Sequence, residues 1–171
     1  LYDQLCENLQ AVYDTDHDVI VPGGEGILGL EAAIASLVAP GDRVLCIANG
    51  LYGEGFADFV DSYDGEAELV SADYDAGYDL DAIEAALAAA EEANEPFKLA
   101  TLVHCETPTG ALNDLSPVLD LLDEYDVLSV VDAVSSLGGT PVPTDRIDVC
   151  LGASQKCFSA PPGLTTAAVS D

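Results

Sequence analysis

Basic residues are almost absent from this sequence of 171 residues, which has 4 Lys and Arg against 32 Asp and Glu and a net charge of −28. Ordinary soluble domains carry a net charge of magnitude about 2–8, and so negative a surface repels nucleic acid and anionic lipid. A disordered acidic tail would have low hydrophobicity and blocks of like charge, whereas here the acids are spread singly among apolar residues, which form 49% of the chain. We therefore expect a folded domain with an acidic surface, adapted to a cytoplasm near molar salt, where the Debye length falls to about 3 Å.

Long apolar runs, a signal peptide and paired cysteines are missing as well. No uninterrupted apolar stretch reaches the roughly 18 residues of a membrane helix, so we expect nothing that crosses or anchors to a membrane. The five cysteines are an odd number without a C-x-x-C pair, which favours a reduced, cytoplasmic setting over a disulfide framework. His17 and His104 are isolated from other ligand residues, so no metal site is predicted.

Both ends of the sequence predict a piece of a longer protein. It begins at Leu1, without methionine, in a stretch that already has helical spacing, and it stops at Asp171 directly after an apolar run. A length of 171 residues fits one domain, because domains cluster at about 100–150 residues. We therefore expect residues 1–171 to form a single domain of a longer parent protein.

Helix-like and strand-like segments alternate along the chain. Helices are predicted at Leu1–Tyr13, Ile27–Val38, Leu51–Tyr63, Asp79–Glu92 and Leu115–Tyr125. Strands are predicted at Arg43–Ala48, Ala67–Ser71, Lys98–Cys105, Val127–Val131, Ile147–Gly152 and Leu164–Val169, and Val19–Val21 is a short apolar step before Pro22. Continuous apolar strands separated by helices are typical of a mainly parallel sheet covered on both faces, so we expect a three-layer α/β/α fold. In such sheets ligands bind beyond the carboxyl ends of the strands, where the winding reverses.

Lysine occurs only twice, at Lys98 and Lys156. Lys98 precedes a strand beside Pro96, where an exposed lysine is unremarkable. Lys156 follows a strand, in the segment Gly152–Gly163 (GASQKCFSAPPG), among small and apolar residues that favour a neutral, nucleophilic amine. A loop lysine that reaches out to water is the alternative.

Other chemically active residues follow strands at the same expected edge. Asp132 ends an apolar strand, where it is either a ligand-binding acid or the cap of a turn or helix. Gly23–Gly26 (GGEG) leads into a helix, as a phosphate cradle would, although a simple turn also fits, and no Walker or dinucleotide fingerprint is present. Tyr52 is placed either to stack on a flat ring or to be a partly exposed loop tyrosine. His104–Gly110 (HCETPTG) adds an imidazole and a hydroxyl to the same crevice, although an isolated strand histidine is more often packed than catalytic. An anion cradle, an aromatic ring, an acid and a lysine together are what pyridoxal phosphate requires.

Five segments, taken in order, carry a family likeness. They are Gly24–Gly26 before Leu30–Ala33, Ala48–Gly53, His104–Gly110, Val131–Gly139, and Ser154–Lys156 before Ala160–Gly163. With this order and spacing the chain resembles class V aminotransferases of the fold-type-I pyridoxal-phosphate enzymes, the alanine–glyoxylate and serine–pyruvate aminotransferases in particular. The resemblance covers essentially the whole chain and implies the large, cofactor-binding domain of such an enzyme, with the small C-terminal domain beyond Asp171.

The resemblance also implies a role for each motif residue. Lys156 is implied to form the Schiff base with pyridoxal phosphate, and Asp132 to pair with the pyridine nitrogen. The other implied cofactor contacts are the backbone N–H groups of Glu25, Gly26 and Ile27 with Gln155 at the phosphate, and Tyr52, Thr107 and Val134 around the ring. Glu25 departs from the family, which frequently has serine there, and its carboxylate must point away from a bound phosphate.

What such an enzyme does is implied in the same way. The resemblance implies a homodimer with shared active sites, small amino acid and keto acid substrates, and a carboxylate-binding arginine beyond Asp171. The implied reaction moves an amino group from alanine or serine to glyoxylate or pyruvate. Two alternatives stay open: another enzyme of the class, such as a 2-aminoethylphosphonate aminotransferase or a cysteine desulfurase or lyase, and an inert truncated domain. Gln155 and Tyr52 speak against a desulfurase, because those enzymes usually carry histidine at both positions.

Overall fold

Seven strands and five α-helices make up the computed structural model, which describes residues 1–171. The strands are β1 (Asp18–Ile20), β2 (Arg43–Ala48), β3 (Glu66–Ser71), β4 (Leu99–Val103), β5 (Leu128–Asp132), β6 (Val149–Ala153) and β7 (Thr165–Val169). The helices are α1 (Tyr2–Tyr13), α2 (Gly26–Leu37), α3 (Leu51–Ser62), α4 (Leu80–Glu92) and α5 (Ser116–Glu124), with a short 3₁₀ helix at Thr144–Arg146. Every predicted helix and strand is present, with its ends shifted by at most two residues.

The strands form one mixed sheet in the order β1-β7-β6-β5-β4-β2-β3. The five strands from β2 to β6 are parallel to one another, whereas β7 is antiparallel to both of its neighbours, β6 and β1. Every residue of β4 and of β6 is buried, as expected for parallel strands that have helices on both faces. The prediction of a mainly parallel, three-layer α/β/α sheet is confirmed.

Helices cover the two faces of the sheet unequally. Helices α2 and α3 pack on one face, and α1, α4 and α5 pack on the other. Successive strand residues alternate between these two layers: in β2, Val44 and Cys46 face α2 and α3, while Leu45 and Ile47 face the other helices. Each fully buried aliphatic side chain contributes roughly 1.5–3 kcal/mol relative to exposure, so both clusters stabilise the sheet.

Short polar residues determine where several helices begin and end. The Asp79 carboxylate accepts a hydrogen bond from Ala82 N at 3.1 Å and caps the start of α4. After α1, α3, α4 and α5 the chain turns through Asp14, Asp64, Asn94 and Asp126, whose φ angles lie between 54° and 58°. Aspartate and asparagine tolerate this left-handed conformation better than other side chains, so the acidic composition also supplies the turns.

The carboxyl ends of β2, β4, β5 and β6 lie at the same edge of the sheet, because these strands are parallel. The antiparallel β7 begins at that edge, next to the loop that leads from β1 into α2. We call this the carboxyl edge; it is formed by the residues that follow these strands and by the first turns of α2 and α3. No helix of the chain combines the length and the apolar character that a membrane crossing requires.

Candidate cofactor site

Three segments that the sequence singled out meet at the carboxyl edge. Asp132 is the last residue of β5, and its Cα pairs with Val103 on one side and Leu151 on the other. Gly26 is the first residue of α2, and a Cβ added to it would lie 3.0 Å from the Ala153 Cβ and 3.1 Å from a Val134 methyl group. The start of α2 therefore touches the chain just beyond β5 and at the end of β6, where Lys156 follows.

Asp132 is a buried acid with one oxygen in use. Its Oδ1 accepts a hydrogen bond from Val134 N at 2.8 Å, and no hydrogen bond reaches Oδ2. The pKa of this carboxyl is raised from 3.8 to about 7, chiefly by burial and in smaller part by the nearby Glu106 charge, while the Val134 N–H bond and the Lys156 charge oppose the rise. A desolvated carboxylate with a free oxygen is suited to bind a cationic N–H group.

Lys156 is the one Lys or Arg of the chain without an ion pair. Arg43 pairs with Glu68, Lys98 with Asp42, and Arg146 with two aspartates of α5. The half-buried Lys156 bonds to no carboxylate, although its charge lowers the pKa of both Asp132 and Cys105. Its amine therefore acts on the Asp132 carboxylate through its charge without forming an ion pair with it.

The glycine-rich loop before α2 is fastened by β7. Gly24 N donates to Gly163 O at 2.8 Å, and the Thr165 hydroxyl reaches the carbonyl oxygens of Gly24 and Glu25 at 3.1 and 2.9 Å. The first N–H groups of a helix have no intrahelical partner, and those of Gly26 and Ile27 belong to this set. Glu25 is the exposed N-cap of α2, and its side chain makes no capping bond, so a free carboxylate stands at an anion-attracting helix end.

The remaining predicted contacts also lie at the carboxyl edge. Gln155 has a buried side-chain oxygen, Oε1, without a hydrogen-bond partner. The Thr107 hydroxyl, on an exposed loop residue, is 2.5 Å from the Ser135 hydroxyl, which joins the loop after β4 to the turn after β5. Val134 is half-buried beside the first residue of α2. An unpartnered buried amide oxygen is uncommon in a folded protein, and His17 Nδ1 and Thr101 Oγ1 are the other buried side-chain atoms without a partner.

Tyr52 lies in the first turn of α3, and its half-buried ring packs against the apolar cluster beneath α2 and α3. The residue that holds this turn is Glu106, which is 0% exposed. Glu106 Oε1 accepts from Gly53 N at 2.7 Å, and Oε2 accepts from Tyr52 N at 3.3 Å. Glu106 lies in the His104–Gly110 motif, but the sequence predicts no role for it, because an acid after a strand carries no signal that it is buried.

His104 does not join the other residues, and the expectation that its imidazole lies in the same crevice is wrong. Its ring is buried, and Nδ1 lies 2.9 Å from the Ser136 hydroxyl. The ring lines a surface cavity together with Leu115 and Val142, which belong to the layer of α1, α4 and α5. Burial lowers the pKa of His104, so the neutral ring serves as a packed strand-end residue.

Two asparagines fill the point where the winding of the sheet reverses, between β2 and β4. Asn49 and Asn113 exchange two side-chain hydrogen bonds of 2.7 and 3.0 Å, and Asn113 also donates to Val103 O. Tyr78 closes the same space, since its hydroxyl bonds to both the N–H and the carbonyl of Val103. The space at the switch point is therefore filled by side chains of the chain itself, and Asp132 and Lys156 lie beside it, after β5 and β6.

Comparisons with known proteins agree on one family. The family model for class-V aminotransferases matches residues 8–171. An uncharacterised aminotransferase of Methanocaldococcus jannaschii is 37% identical over 100% of this chain and 44% of its own length. A pyridoxamine–pyruvate transaminase of Mesorhizobium japonicum is 34% identical over 100% of this chain and 43% of its own length.

A solved structure, the alanine–glyoxylate aminotransferase of a Nostoc species, superposes with a TM-score of 0.91 and 32% identity over 99% of this chain and 45% of that one. The chain thus spans less than half the length of the relatives it matches. The similarity in sequence and the similarity in fold cover the same residues.

Proposed function

The chain belongs to the class-V aminotransferase family, and from this membership we propose that it is the cofactor-binding part of a pyridoxal-phosphate-dependent transaminase. The proposed reaction moves an amino group from a small amino acid, alanine or serine, to glyoxylate or pyruvate. The single observation that carries the proposal is Lys156: an unpaired amine beside a buried carboxylate, in a chain where every other Lys or Arg is paired with an acid.

The residues at the carboxyl edge fit the ring of pyridoxal phosphate. The free Oδ2 of Asp132 would accept the N–H of the protonated pyridine nitrogen, the NH₂ group of Gln155 would donate to the phosphate, and Lys156 would attach the cofactor through Nζ. The fit to the phosphate rests on the N–H groups of Gly26 and Ile27 at the start of α2. When bound, this cofactor supplies an electron-withdrawing ring that makes the α-proton of an amino acid removable.

Each residue then has a defined task. Asp132 keeps the ring nitrogen protonated, which strengthens that electron withdrawal. Val134 and Tyr52 hold the ring from its two faces, and Thr107 bonds to its oxygen substituent. Lys156 would serve as the base, with Nζ taking up the α-proton of the amino acid and delivering it to the C4′ carbon of the cofactor.

The two lysines of the chain allow a matched test in the full-length protein. Lys156→Ala is expected to remove both the visible absorbance of the bound cofactor and the transamination of alanine and serine. Lys98→Ala, which breaks only an exposed ion pair with Asp42, is expected to keep both, because such pairs contribute about 1 kcal/mol or less. Retention of the absorbance and the turnover by Lys156→Ala would rule out the assignment.

A second candidate, transamination between pyridoxamine and pyruvate, is favoured by Glu25. This exposed carboxylate caps α2 without a capping bond, and it repels a phosphate bound at the same helix end. Pyridoxamine has the same ring but no phosphate, and the M. japonicum relative bears the name of this reaction. A protein that uses pyridoxamine as a substrate needs Asp132 and Lys156 but no anion cradle.

The preference of the wild-type protein for pyridoxal phosphate or pyridoxal separates the two candidates, and Glu25→Ser tests whether Glu25 causes it. For the first, wild-type protein binds pyridoxal phosphate more tightly than pyridoxal, and the substitution strengthens this preference. If the protein transaminates pyridoxamine, the wild type prefers pyridoxal over pyridoxal phosphate. Glu25→Ser then changes the ratio of the two dissociation constants by about tenfold in favour of pyridoxal phosphate, since a nearby charge is worth about 1 kcal/mol or more when partly desolvated. A ratio unchanged by the substitution would show that Glu25 does not sense the phosphate.

A further inference from the structure

A buried acid joins the loop after β4 to the first turn of α3. Glu106 is 0% exposed, and both of its carboxylate oxygens accept backbone N–H groups, Oε1 from Gly53 and Oε2 from Tyr52. These donors are among the first N–H groups of α3, which have no partner within the helix. The side chain therefore caps α3 from the loop after β4, and Glu106 and Gly53 are 53 residues apart in sequence.

Two glycines, Gly50 and Gly53, leave space for the Glu106 carboxylate. A Cβ added to Gly50 would collide with the Glu106 side chain, and a Cβ added to Gly53 would lie 2.9 Å from the Ala48 backbone and 3.4 Å from Glu106 Oε1. Any larger residue at either position would push the first turn of α3 away from the ends of β2 and β4. The sequence around α3 is therefore shaped to bring the backbone onto this acid.

Glu106 is also close to the reacting groups. Its charge raises the pKa of Asp132 and of Cys105, and it contributes to the raised pKa of the buried Tyr78. The residue it holds, Tyr52, is the proposed stacking partner of the cofactor ring. A carboxylate that binds two backbone N–H groups permits little displacement of that turn, because hydrogen bonds to charged groups are among the stronger ones in proteins.

We propose that Glu106 is a positioning residue of the cofactor site, which fixes Tyr52 over the carboxyl edge by binding the Tyr52 and Gly53 N–H groups. The role of Tyr52 in this proposal rests on the proposed function. Glu106 itself touches neither cofactor nor substrate; it acts through the first turn of α3. Its removal loosens that turn even in protein that holds no cofactor.

Glu106→Gln in the full-length protein tests this. The glutamine keeps the shape of the side chain and one acceptor, but its NH₂ group faces the donor of the second bond. Glu54→Gln is the matched control, because Glu54 lies in the same turn and bonds only to the hydroxyls of Ser71 and Tyr74. Both variants lose one negative charge.

Two measurements are needed. Amide hydrogen exchange of Gly53 and Tyr52 in cofactor-free protein is expected to speed up by roughly tenfold or more in Glu106→Gln and to stay unchanged in Glu54→Gln. The dissociation constant of pyridoxal phosphate, or of pyridoxal if that is the ligand the wild type binds, is expected to rise by about tenfold in Glu106→Gln alone, with a weaker circular dichroism of the bound ring. Thermal unfolding of all three proteins confirms that they are folded at the assay temperature.

The outcomes distinguish this proposal from the proposed function. If wild-type protein binds neither ligand, the proposed function fails, and the exchange of the two amides still decides whether Glu106 holds the turn. Equal exchange rates in all three proteins would overturn the positioning role. Faster exchange together with an unchanged dissociation constant and an unchanged dichroism would show a purely structural helix cap, which also overturns the proposal.

Discussion

Asp132 is expected to make the cofactor-free protein less stable as the pH rises. Burial raises the pKa of its carboxyl from 3.8 to about 7, so between these values the folded state holds a proton that the unfolded state has lost. The favourable contribution is complete below pH 3.8 and is lost as the pH rises through about 7. Because each pH unit is equivalent to about 1.4 kcal/mol, the total loss is on the order of 4 kcal/mol.

The Asp132→Asn variant isolates this effect. Asparagine has the same shape, keeps an oxygen for the Val134 N–H group, and does not titrate. We expect the two proteins to be about equally stable near pH 4, and the variant to become more stable as the pH rises, by about 4 kcal/mol near pH 8. All other titrating groups are common to both proteins and cancel in the difference, apart from their coupling to Asp132.

Urea unfolding of cofactor-free protein at constant high salt, repeated from pH 4 to pH 8, measures this difference. A stability difference that does not depend on pH, or that shrinks as the pH rises, would refute the reasoning. Cofactor binding should rank the two proteins in the opposite order, because the protonated ring nitrogen of the cofactor pairs with the carboxylate of the wild type. At pH 8 wild-type protein is expected to bind the cofactor at least tenfold more tightly than Asp132→Asn, as a charge-assisted hydrogen bond is worth about 1.5–3 kcal/mol.

The remaining predictions concern two helical glycines, Gly26 at the start of α2 and Gly55 within α3, whose surroundings differ. Gly26→Ala is expected to lower the free energy of unfolding by about 1–3 kcal/mol and to weaken cofactor binding, because its Cβ would press on Ala153 and Val134. Gly55→Ala, within α3 and with no atom within 4 Å of the added Cβ, is expected to raise the free energy of unfolding by about 0.5–1 kcal/mol and to leave binding unchanged. Urea midpoints and dissociation constants check both, and a shift of the same sign in both would contradict the packing explanation.

The positions of helices and strands were predictable because they follow from local patterns. Strand β2 is apolar at almost every position and occupies the predicted residues Arg43–Ala48. The direction of β7 was not predictable, since a buried antiparallel strand between covered faces has the same apolar pattern as a parallel one. The parallel and antiparallel directions differ in only one sequence feature, the length of the connection from β6, which is too short for a crossover helix.

The site was predictable to the extent that its residues follow strands. Asp132 and Lys156 lie at the carboxyl edge because their strands are parallel neighbours, which the alternation of helices and strands implies. The burial of Glu106 and the pairing of Asn49 with Asn113, 64 residues apart, depend on tertiary packing and carry no local signal. His104 was misplaced because a change of one residue at a strand end turns a side chain to the opposite face. The saline cytoplasm, the homodimer and the roles of the site residues stay predictions.

The fastening of the glycine-rich loop by β7 has a consequence for the order of folding. Strand β1 pairs only with β7, and the Thr165 hydroxyl donates a hydrogen bond to the carbonyl of Gly24, 141 residues earlier in the sequence. On the ribosome, the loop must therefore wait on the order of 10 s before the segment that secures it is synthesised. The central strands can assemble during that time, whereas the first turn of α2 takes its final shape among the last parts of this domain.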